Sequence, residues 1–569
     1  MARRPYALAD HEEPTGRRMS AAIYYHPEAY STSGPKLMGR NAAGESFLRG
    51  YLAYARTNEF WIQVEMPAHV QHFAAAARAQ GRSQQINAVD STSLAALARA
   101  GTVYYPGPGI GLHAWHRAAH GHGSWSLCGI THTTSSAAAM DSITELLISP
   151  VQPWDALICT STAVKDNVQR MLQGQADYLK LRLGITQLVL PQMPVIPLGI
   201  HTEDFAYSPQ QKHAARASLS VTADAIIVLY TGRLSFHAKA HPLAMYQALE
   251  LAAKATGKEV VLIECGWHAN ASIEKAYADA AGVAAPSVRV VNLDGRKPES
   301  RQIAWAAADI FCSLSDNIQE TFGIVPIEAM AAGLPVVVSD WDGYKDTVRH
   351  GIDGFRVPTL MPGPGLGTDL AQRHGLGIDT YDLYCGHACS LVAVDVGETA
   401  RAFIRLFLEP EMREQMARAG RQRAQELYDW RAIIPQYEAL WEQLADLRKV
   451  NQTTHKALSH PWPARLDPFS AFASYPSKVL DPETRFTLVD ADVQTALKRM
   501  RQYSQLSMVN FAKGILPTEA ELETVVQTAA GVATAGQLVQ AISPGRQAVV
   551  FRALAWLVKL HILKLHAPS

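Results

Sequence analysis

The 569-residue sequence lacks several features that mark specialised classes of protein. It has no run of about 18 consecutive apolar residues, so no membrane-spanning helix is predicted. The first stretch, MARRPYALADHEEPTGRR, has no apolar core, and a secretion signal is not expected there. Only six cysteines are scattered through the chain, which argues against a disulfide framework. These absences together favour a cytoplasmic protein.

An excess of charge of one sign is also missing. The 52 basic residues balance 52 acidic ones, so the overall charge does not predict a nucleic-acid partner. Recognisable metal-ligand spacing is absent as well. Cys385 and Cys389 have no second pair at zinc-finger spacing, and the histidines from 113 to 122 lie among glycines without nearby carboxylates. We predict no metal, no cofactor and a solvated loop around these histidines.

The chain does contain enough apolar residues for large cores, at 48% of the sequence. Its length indicates two domains with room for a third. Short strands alternate with helical segments in two successive series, which predicts α/β domains with doubly wound parallel sheets. The strands of the first series are Ala21–Tyr25, Phe60–Val64, Thr102–Tyr105 and Ala156–Thr160; those of the second are Ala225–Tyr230, Val260–Glu264, Val288–Val291, Ile310–Leu314 and Val336–Val338.

The stretch QETFGIVPIEAMAAGLPVVVSD, residues 319–340, organises the second series. Gly323 opens a predicted short helix, and Pro326 lies in its first turn, where a missing N–H costs nothing. Gly333 is a natural left-handed end for this helix, and Leu334-Pro335 prevents its continuation. The following valines predict a buried parallel strand.

The ends of this helix predict a ligand with two chemical parts. Free backbone N–H groups at its N-terminus favour a phosphate, and Gly323 allows the phosphate to approach the backbone. Glu320 precedes the helix and Glu328 lies inside it, and carboxylates accept hydrogen bonds from sugar hydroxyls. The combination suggests a nucleotide diphosphate sugar. Read alone, however, the two glutamates favour an ordinary cap and a solvent-facing position.

The full string from Glu320 to Val337 resembles the donor-site signature of the large retaining GT-B glycosyltransferase family four, which includes sucrose-phosphate synthases. The resemblance covers about residues 20–447 and implies two Rossmann-like domains that face a cleft. It also implies that Glu320 binds the transferred sugar and Glu328 the ribose. The backbone of Phe322, Gly323 and Ile324 would then meet the diphosphate.

Two cations follow the strand that ends in Tyr230. Arg233 offers a planar fork and Lys239 a point charge, and together they can neutralise a departing diphosphate. A pair of this kind is also common on solvated loops. The element resembles the family's Gly-Arg-Leu…Lys motif, although Ala240 and His241 replace the glycine that usually follows the lysine.

Two further candidates lie in the first series. Gly34 follows the first strand and can place backbone N–H groups against a phosphate, although glycine there is often only a turn. His132 lies in CGITHTTSS, where an apolar strand reaches the edge of its sheet. The resemblance implies that His132 contacts the donor sugar near the reaction centre; a histidine satisfied within the core is the alternative.

The domain organisation predicted from these features is as follows. The segment PVIPLGIHTEDF resembles the family's interdomain linker, with Pro197, Gly199 and Phe205. The predicted parts are a flexible tail (1–19), an N-terminal Rossmann-like acceptor domain (20–195), a C-terminal Rossmann-like nucleotide-sugar domain (196–428) with a glycine-rich surface flap (359–393), a crossover helix (429–449), a linker (450–480) and a small helical module (481–569).

The C-terminal module begins with clear helix signals. Thr518 and Glu521 form a predicted capping box, and Ser543-Pro544 opens a helix that runs through RQAVVFRALAWLVKLHILKL. The order of its segments resembles a winged-helix module. Its apolar stretch fits packing within the module, a protein contact or a peripheral contact at the inner face of a membrane.

The resemblance, together with these residues, implies a retaining glycosyltransferase (EC 2.4) that moves a sugar from a nucleotide diphosphate sugar to a hydroxyl of a glycan or a small acceptor, in glycan or cell-envelope polysaccharide biosynthesis. The alternative is a degenerate GT-B protein that binds a nucleotide sugar or a partner as a regulator.

Overall fold

The computed structural model describes residues 20–31, 39–451 and 462–566. The chain forms two compact units that divide between residues 462 and 463. The first unit contains both predicted α/β series, and the second contains the C-terminal module. Within the described part of the chain, no helix has the length and apolarity needed to cross a membrane.

The N-terminal domain is a six-stranded parallel sheet covered by helices on both faces. Its strand order is β3-β2-β1-β4-β5-β6, as in a doubly wound fold. The strands are β1 Ala22–Tyr24, β2 Glu59–Gln63, β3 Gln85–Val89, β4 Thr102–Tyr104, β5 Ser126–Ile130 and β6 Ala156–Ile158; the helices are α1 Gly39–Tyr54, α2 Pro67–Ala79, α3 Leu97–Ala100, α4 Ile110–Ala118, α5 Ala137–Thr144 and α6 Thr162–Leu183.

The prediction of a loop around the histidines from 113 to 122 was wrong for the first two of them. His113 and His116 lie in α4, and His113 stacks on Tyr105 with ring centroids 3.8 Å apart. The apolar residues Ile110 and Ala114, one turn apart, are fully buried against the sheet. This buried face stabilises a helix despite the neighbouring glycines.

The C-terminal domain repeats the design with strand order β12-β11-β10-β7-β8-β9, all parallel. Its strands are β7 Ile226–Leu234, β8 Val260–His268, β9 Arg289–Asp294, β10 Ile310–Ser313, β11 Val336–Ser339 and β12 Gly354–Val357, with a separate antiparallel pair β13 Thr359–Leu360 and β14 Ala393–Val394. Its helices are α7 Pro209–Ser218, α8 Leu243–Thr256, α9 Ala271–Ala284, α10 Pro298–Ala307, α11 Ile324–Ala331, α12 Tyr344–Thr347, α13 Thr368–Gly375, α14 Tyr381–Cys389, α15 Val396–Leu408 and α16 Pro410–Arg423.

The insertion between residues 359 and 393 is not only a surface flap. It contains α13 and α14, and Cys385 and Cys389 of α14 are buried. Asp379, also buried, accepts hydrogen bonds from Arg373 at 2.7 Å and pairs with His387 at 3.1 Å, which ties the two helices together.

A long helix, α17 (Trp430–Asn451), returns from the C-terminal domain and packs on α1 and β5 of the N-terminal domain. Its first residue, Trp430, is fully buried and donates a hydrogen bond to the Ser46 hydroxyl at 2.8 Å. Just before it, the chain pairs with the interdomain segment: the Ile200 amide donates to the Tyr428 carbonyl at 2.8 Å, and the Trp430 amide donates to the Ile200 carbonyl at 3.1 Å. The two connections between the domains therefore lie side by side.

The C-terminal unit contains three short antiparallel strands in the order β16-β15-β17, surrounded by helices. The capping box of Thr518 and Glu521 is present. The last helix ends at Lys559, earlier than predicted, because the chain turns at His561 (φ +56°) and then forms a strand. The elements are α18 Pro468–Ala471, β15 Arg485–Leu488, α19 Val493–Ser504, α20 Ser507–Asn510, α21 Glu519–Thr528, β16 Ala533–Thr534, α22 Ala535–Val539, α23 Pro544–Lys559 and β17 Leu563–Leu565. The winged-helix likeness stays a prediction.

Candidate active site

The predicted short helix is α11, and its start is fixed by Gly323. This residue has φ +79°, a conformation that side chains other than glycine adopt at a cost. A Cβ atom at this position would lie 1.9 Å from Cε1 of Tyr344. Gly333 takes the left-handed conformation predicted for the helix end, at φ +75°. The N-terminus of α11 is therefore held against Tyr344 at the carboxyl edge of the sheet.

Lys239 and Glu320 form an ion pair at this edge. The Lys239 Nζ and Glu320 Oε2 atoms are 2.5 Å apart, and the side chains are 28% and 10% exposed. The two residues are far apart in sequence, and the sheet brings them together because β7 and β10 are neighbours. The turn that carries Lys239 closes through hydrogen bonds from the Lys239 and Ala240 amides to the Ser235 carbonyl, so it does not need the missing glycine.

The surroundings of Glu320 keep it ionised. Burial alone would raise the pKa of its carboxyl, but the Lys239 ammonium and the backbone N–H groups of Thr321 and Gly323 hold it below its usual range. The amide at the start of α11 therefore faces the Glu320 carboxylate. A negatively charged or hydroxyl-bearing ligand at this position would compete for the same donors.

Arg233 lies next to the ion pair. Its guanidinium donates hydrogen bonds to the Ala238 carbonyl at 2.7 Å and to the Gln319 side-chain oxygen at 3.2 Å. Gln319 immediately precedes Glu320, so the contact connects the turn that carries Lys239 to the start of α11. We call residues 233–241, which carry both cations, the cation loop.

Three other predicted donor-site residues occupy different environments. Glu328 lies in α11, and burial raises the pKa of its carboxyl to about 7. Phe322 is only 2% exposed, and its ring packs in the core, so only its backbone can meet a ligand. Ile324 is the first residue of α11 and is partly buried against the same core. Its backbone, too, is the part available for a diphosphate.

His132 lies across the cleft in the loop that follows β5. Its carbonyl accepts a hydrogen bond from the Thr321 hydroxyl at 3.3 Å, which places the loop against the residue that follows Glu320. The hydroxyl of Ser161, also in the N-terminal domain, donates to the Thr321 carbonyl at 2.7 Å. Gly34 lies outside the described residues. The roles of all the predicted site residues stay predictions.

Asp342 was missed by sequence reasoning. It follows β11 and has φ +45°, an uncommon conformation for a residue with a side chain. Its Oδ2 atom is buried and has no hydrogen-bond partner among the described residues. Burial and the nearby Glu320 raise the pKa of the Asp342 carboxyl well above its usual range. The Asp-Gly dipeptide after a buried strand was the available signal, because it marks a turn.

A separate buried carboxyl gives a testable pH dependence. Glu264 is 1% exposed, accepts a hydrogen bond from the Tyr246 hydroxyl at 2.5 Å, and has a pKa raised by burial to about 7. A raised pKa in the folded state stabilises the protein below the unfolded pKa, and this stabilisation is lost as the pH rises through 7. In the wild type, this titration should lower the free energy of unfolding by about 3 kcal/mol between pH 4.5 and 8. We expect that contribution to be absent in the Glu264→Gln variant.

Urea unfolding of the wild type and of Glu264→Gln across this pH range measures the free energy of unfolding of each protein. The difference between variant and wild type isolates Glu264 from the other carboxyls. Parallel curves for the two proteins would show that the Glu264 carboxyl does not titrate with folding.

Metal ligands are not assembled in the parts of the chain that the structure describes. Across residues 20–31, 39–451 and 462–566, no three His, Cys, Asp or Glu side chains group closely enough to hold a metal ion. Cys385 and Cys389 instead lie buried in α14.

The two parallel six-stranded domains, joined by the returning helix α17, define a GT-B fold, as the sequence predicts. Residues 211–360 match the family model described as "Glycosyl transferases group 1". This part of the chain is therefore similar to group 1 glycosyltransferases. It contains Arg233, Lys239, Glu320, Gly323 and Glu328.

Curated relatives match part of the chain. A D-inositol 3-phosphate glycosyltransferase of Nocardia farcinica is 31% identical over 212 residues, which are 36% of this chain and 46% of the relative. A phosphatidyl-myo-inositol mannosyltransferase of Mycobacterium leprae is 31% identical over 143 residues, which are 25% and 28% of the two chains. The chain thus spans less than half the length of these relatives.

Solved structures are similar at low identity. The Anabaena HepE protein in complex with UDP and glucose has 14% identity and a TM-score of 0.46, with 76% of this chain and 100% of that chain covered. A sucrose-phosphate synthase from Thermosynechococcus elongatus has 18% identity and a TM-score of 0.45, with 75% and 99% covered.

Proposed function

We propose that this protein is a retaining glycosyltransferase that transfers a sugar from a nucleotide diphosphate sugar to a hydroxyl of a glycan or a small acceptor. The observation that carries the proposal is the Lys239–Glu320 pair at the N-terminus of α11, with Arg233 beside it. A cation and a sugar-binding carboxylate meet there at the start of a helix. A diphosphate and a hexose joined to it need this combination of groups.

Each group has a defined part in the proposed reaction. As the bond between the anomeric carbon and the diphosphate oxygen breaks, negative charge grows on the diphosphate. Arg233, Lys239 and the Gly323 amide can stabilise that charge, because they are fixed before the reaction begins. Glu320, released from Lys239 by the arriving phosphate, accepts hydrogen bonds from the sugar. Glu328, one turn into α11, would accept hydrogen bonds from the ribose.

In the proposed retaining mechanism, the acceptor hydroxyl attacks from the face that the diphosphate leaves, and a diphosphate oxygen takes its proton. The acceptor would enter from the N-terminal domain, beside His132. The names of the curated relatives, which act on inositol-containing acceptors, support a hydroxyl acceptor of the polyol or glycan type.

A binding protein on a degenerate GT-B scaffold is the alternative. Such a protein is free to lose its charged residues, whereas this chain has Arg233, Lys239 and Glu320 together at one edge of the sheet and Glu328 one turn into α11. The retained set favours the enzyme.

A panel of nucleotide sugars with different bases and sugars tests the proposal. A matched donor at about 100 times its Kd should stabilise the protein by roughly 2.7 kcal/mol, which raises the midpoint of thermal unfolding. The same donor with an acceptor should release the nucleoside diphosphate, and NMR of the product should show the anomeric configuration of the donor. Binding without release across acceptors would favour the regulator, and binding of no activated sugar would refute the transferase.

A further inference from the structure

Helix α14 of the insertion lies beyond the part of the chain that matches the family model, which ends at residue 360. It is nevertheless packed against the candidate active site. A Cβ atom at Gly386 would lie 3.0 Å from Cβ of His237, and the Cys389 thiol donates to the His237 carbonyl at 3.7 Å. His237 belongs to the cation loop, between Arg233 and Lys239.

Helix α14 also contacts the N-terminal domain. The Tyr381 hydroxyl, at the first residue of α14, lies 3.2 Å from the Ser135 hydroxyl and 3.5 Å from that of Thr133. The Cys385 thiol lies 4.0 Å from the same Ser135 hydroxyl. Thr133 and Ser135 belong to the loop 131–136, which carries His132.

Both partners of α14 are themselves held in place. The side-chain amide of Asn317 donates a hydrogen bond to the His237 carbonyl at 3.0 Å, which fixes the cation loop from the side of β10. The side-chain amide of Asn167 donates a hydrogen bond to the Thr134 hydroxyl at 2.7 Å, which fixes the loop 131–136 from the side of α6. A helix wedged between two anchored loops sets the distance between them.

We propose that Tyr381 is a positioning residue: through Ser135 and Thr133 it holds the loop 131–136, with His132, at the distance from the cation loop that sugar transfer requires. The inference rests on the proposed function for its kinetic consequence, but the geometric part does not depend on turnover. Tyr381 does not have to touch the substrate.

The position of α14 also has a consequence for water. The helix lies between the loop 131–136 and the cation loop at one side of the cleft. If that side opens, a water oxygen can bond to the anomeric carbon as the bond to the diphosphate breaks. The products are then free sugar, nucleoside diphosphate and a proton, with no acceptor used.

The test compares Tyr381→Phe with Tyr384→Phe in the full chain. Both variants lose one phenol hydroxyl from α14, but the Tyr384 ring stacks on His374 of α13, within the insertion. With the donor identified by the nucleotide-sugar panel, we expect Tyr381→Phe to lower kcat for transfer about 10-fold, with the donor KM changed by less than about twofold. The fraction of donor lost to hydrolysis should rise, and Tyr384→Phe should match the wild type.

A second arm connects the effect to Ser135. The Ser135→Ala variant should lower kcat to a similar extent. The double variant should lower it no further than Tyr381→Phe alone, because Tyr381→Phe already removes the contact with Ser135. Additive losses, or a Tyr381→Phe enzyme with unchanged kcat and hydrolysis, would overturn the inference while leaving the transferase activity established.

Hydrogen exchange tests the geometry without any substrate. In Tyr381→Phe, the amides of residues 131–136 should exchange about 10-fold faster, whereas those of residues 373–379 within the insertion should be unchanged. Unchanged exchange at 131–136 would overturn the inference even if the wild type transfers no sugar, so its failure is distinct from failure of the proposed function.

Discussion

Replacing Lys239 with alanine is expected to lower the kcat of sugar transfer by roughly 100- to 1,000-fold, the loss typical for one fixed donor that stabilises charge in a transition state. The ammonium lies 2.5 Å from Glu320 and is only 28% exposed, so bulk water cannot easily replace it. The Lys239→Ala variant keeps the fold, because the surrounding turn closes through backbone hydrogen bonds to Ser235. Steady-state release of the nucleoside diphosphate measures the effect.

Two further variants test whether the loss of activity comes from a missing charge at the diphosphate or from another effect of removing a lysine. Lys275→Ala removes an exposed lysine paired with Asp279 on the surface, and its activity should equal that of the wild type. The double variant Lys239→Ala/Glu320→Gln tests whether an unpaired Glu320 carboxylate is what harms the single variant. If the double variant recovers activity, Lys239 only neutralises Glu320 and has no role at the diphosphate.

Gly323→Ala is expected to damage both the stability and the activity of the protein. The left-handed backbone alone costs roughly 1–2 kcal/mol for a residue with a side chain. The added methyl would also lie 1.9 Å from the ring of Tyr344, which is buried and bonded to the Ser313 hydroxyl at 2.8 Å. Relieving that overlap should cost a further 1–3 kcal/mol or so and shift the start of α11 away from its ligand. Urea unfolding and donor affinity measure the two effects.

Gly351→Ala is the matched control. Gly351 has nearly the same backbone conformation, φ +77°, but a Cβ atom there meets no other atom within 4 Å. The Gly351→Ala variant should therefore lose only the free energy of unfolding that the left-handed backbone costs, with donor affinity unchanged. Equal losses of stability in the two variants would show that the contact with Tyr344 is unimportant, and unchanged donor affinity in Gly323→Ala would remove the helix N-terminus from the proposed site.

The parts of the fold that were predicted correctly depend on local sequence. The bounds of α11 follow from Gly323, Pro326 and Gly333, which act through their own backbone conformations. The two parallel sheets follow from alternating strands and helices. By contrast, the burial of Phe322 depends on packing against distant residues such as Tyr428, and the strand at Leu563–Leu565 depends on pairing with β15. One sequence contains no local sign of such contacts.

The candidate site divides in the same way. Lys239 and Glu320 were predicted from a resemblance, and the sheet shows why residues 81 positions apart meet. Asp342 and Tyr381 were not predicted, because their environments are built from both domains. The charge of a single aspartate and the ring of a single tyrosine do not indicate which side of a cleft they face.

The side-by-side pairing of Ile200 with residues 428–430 has a consequence for domain motion. Among the described residues, two passages of the chain between the domains are joined there by two backbone hydrogen bonds of Ile200. Any separation of the domains that keeps these hydrogen bonds intact must pivot about them. The cleft would then have one fixed margin, and we expect substrates of the proposed reaction to enter from the other margins.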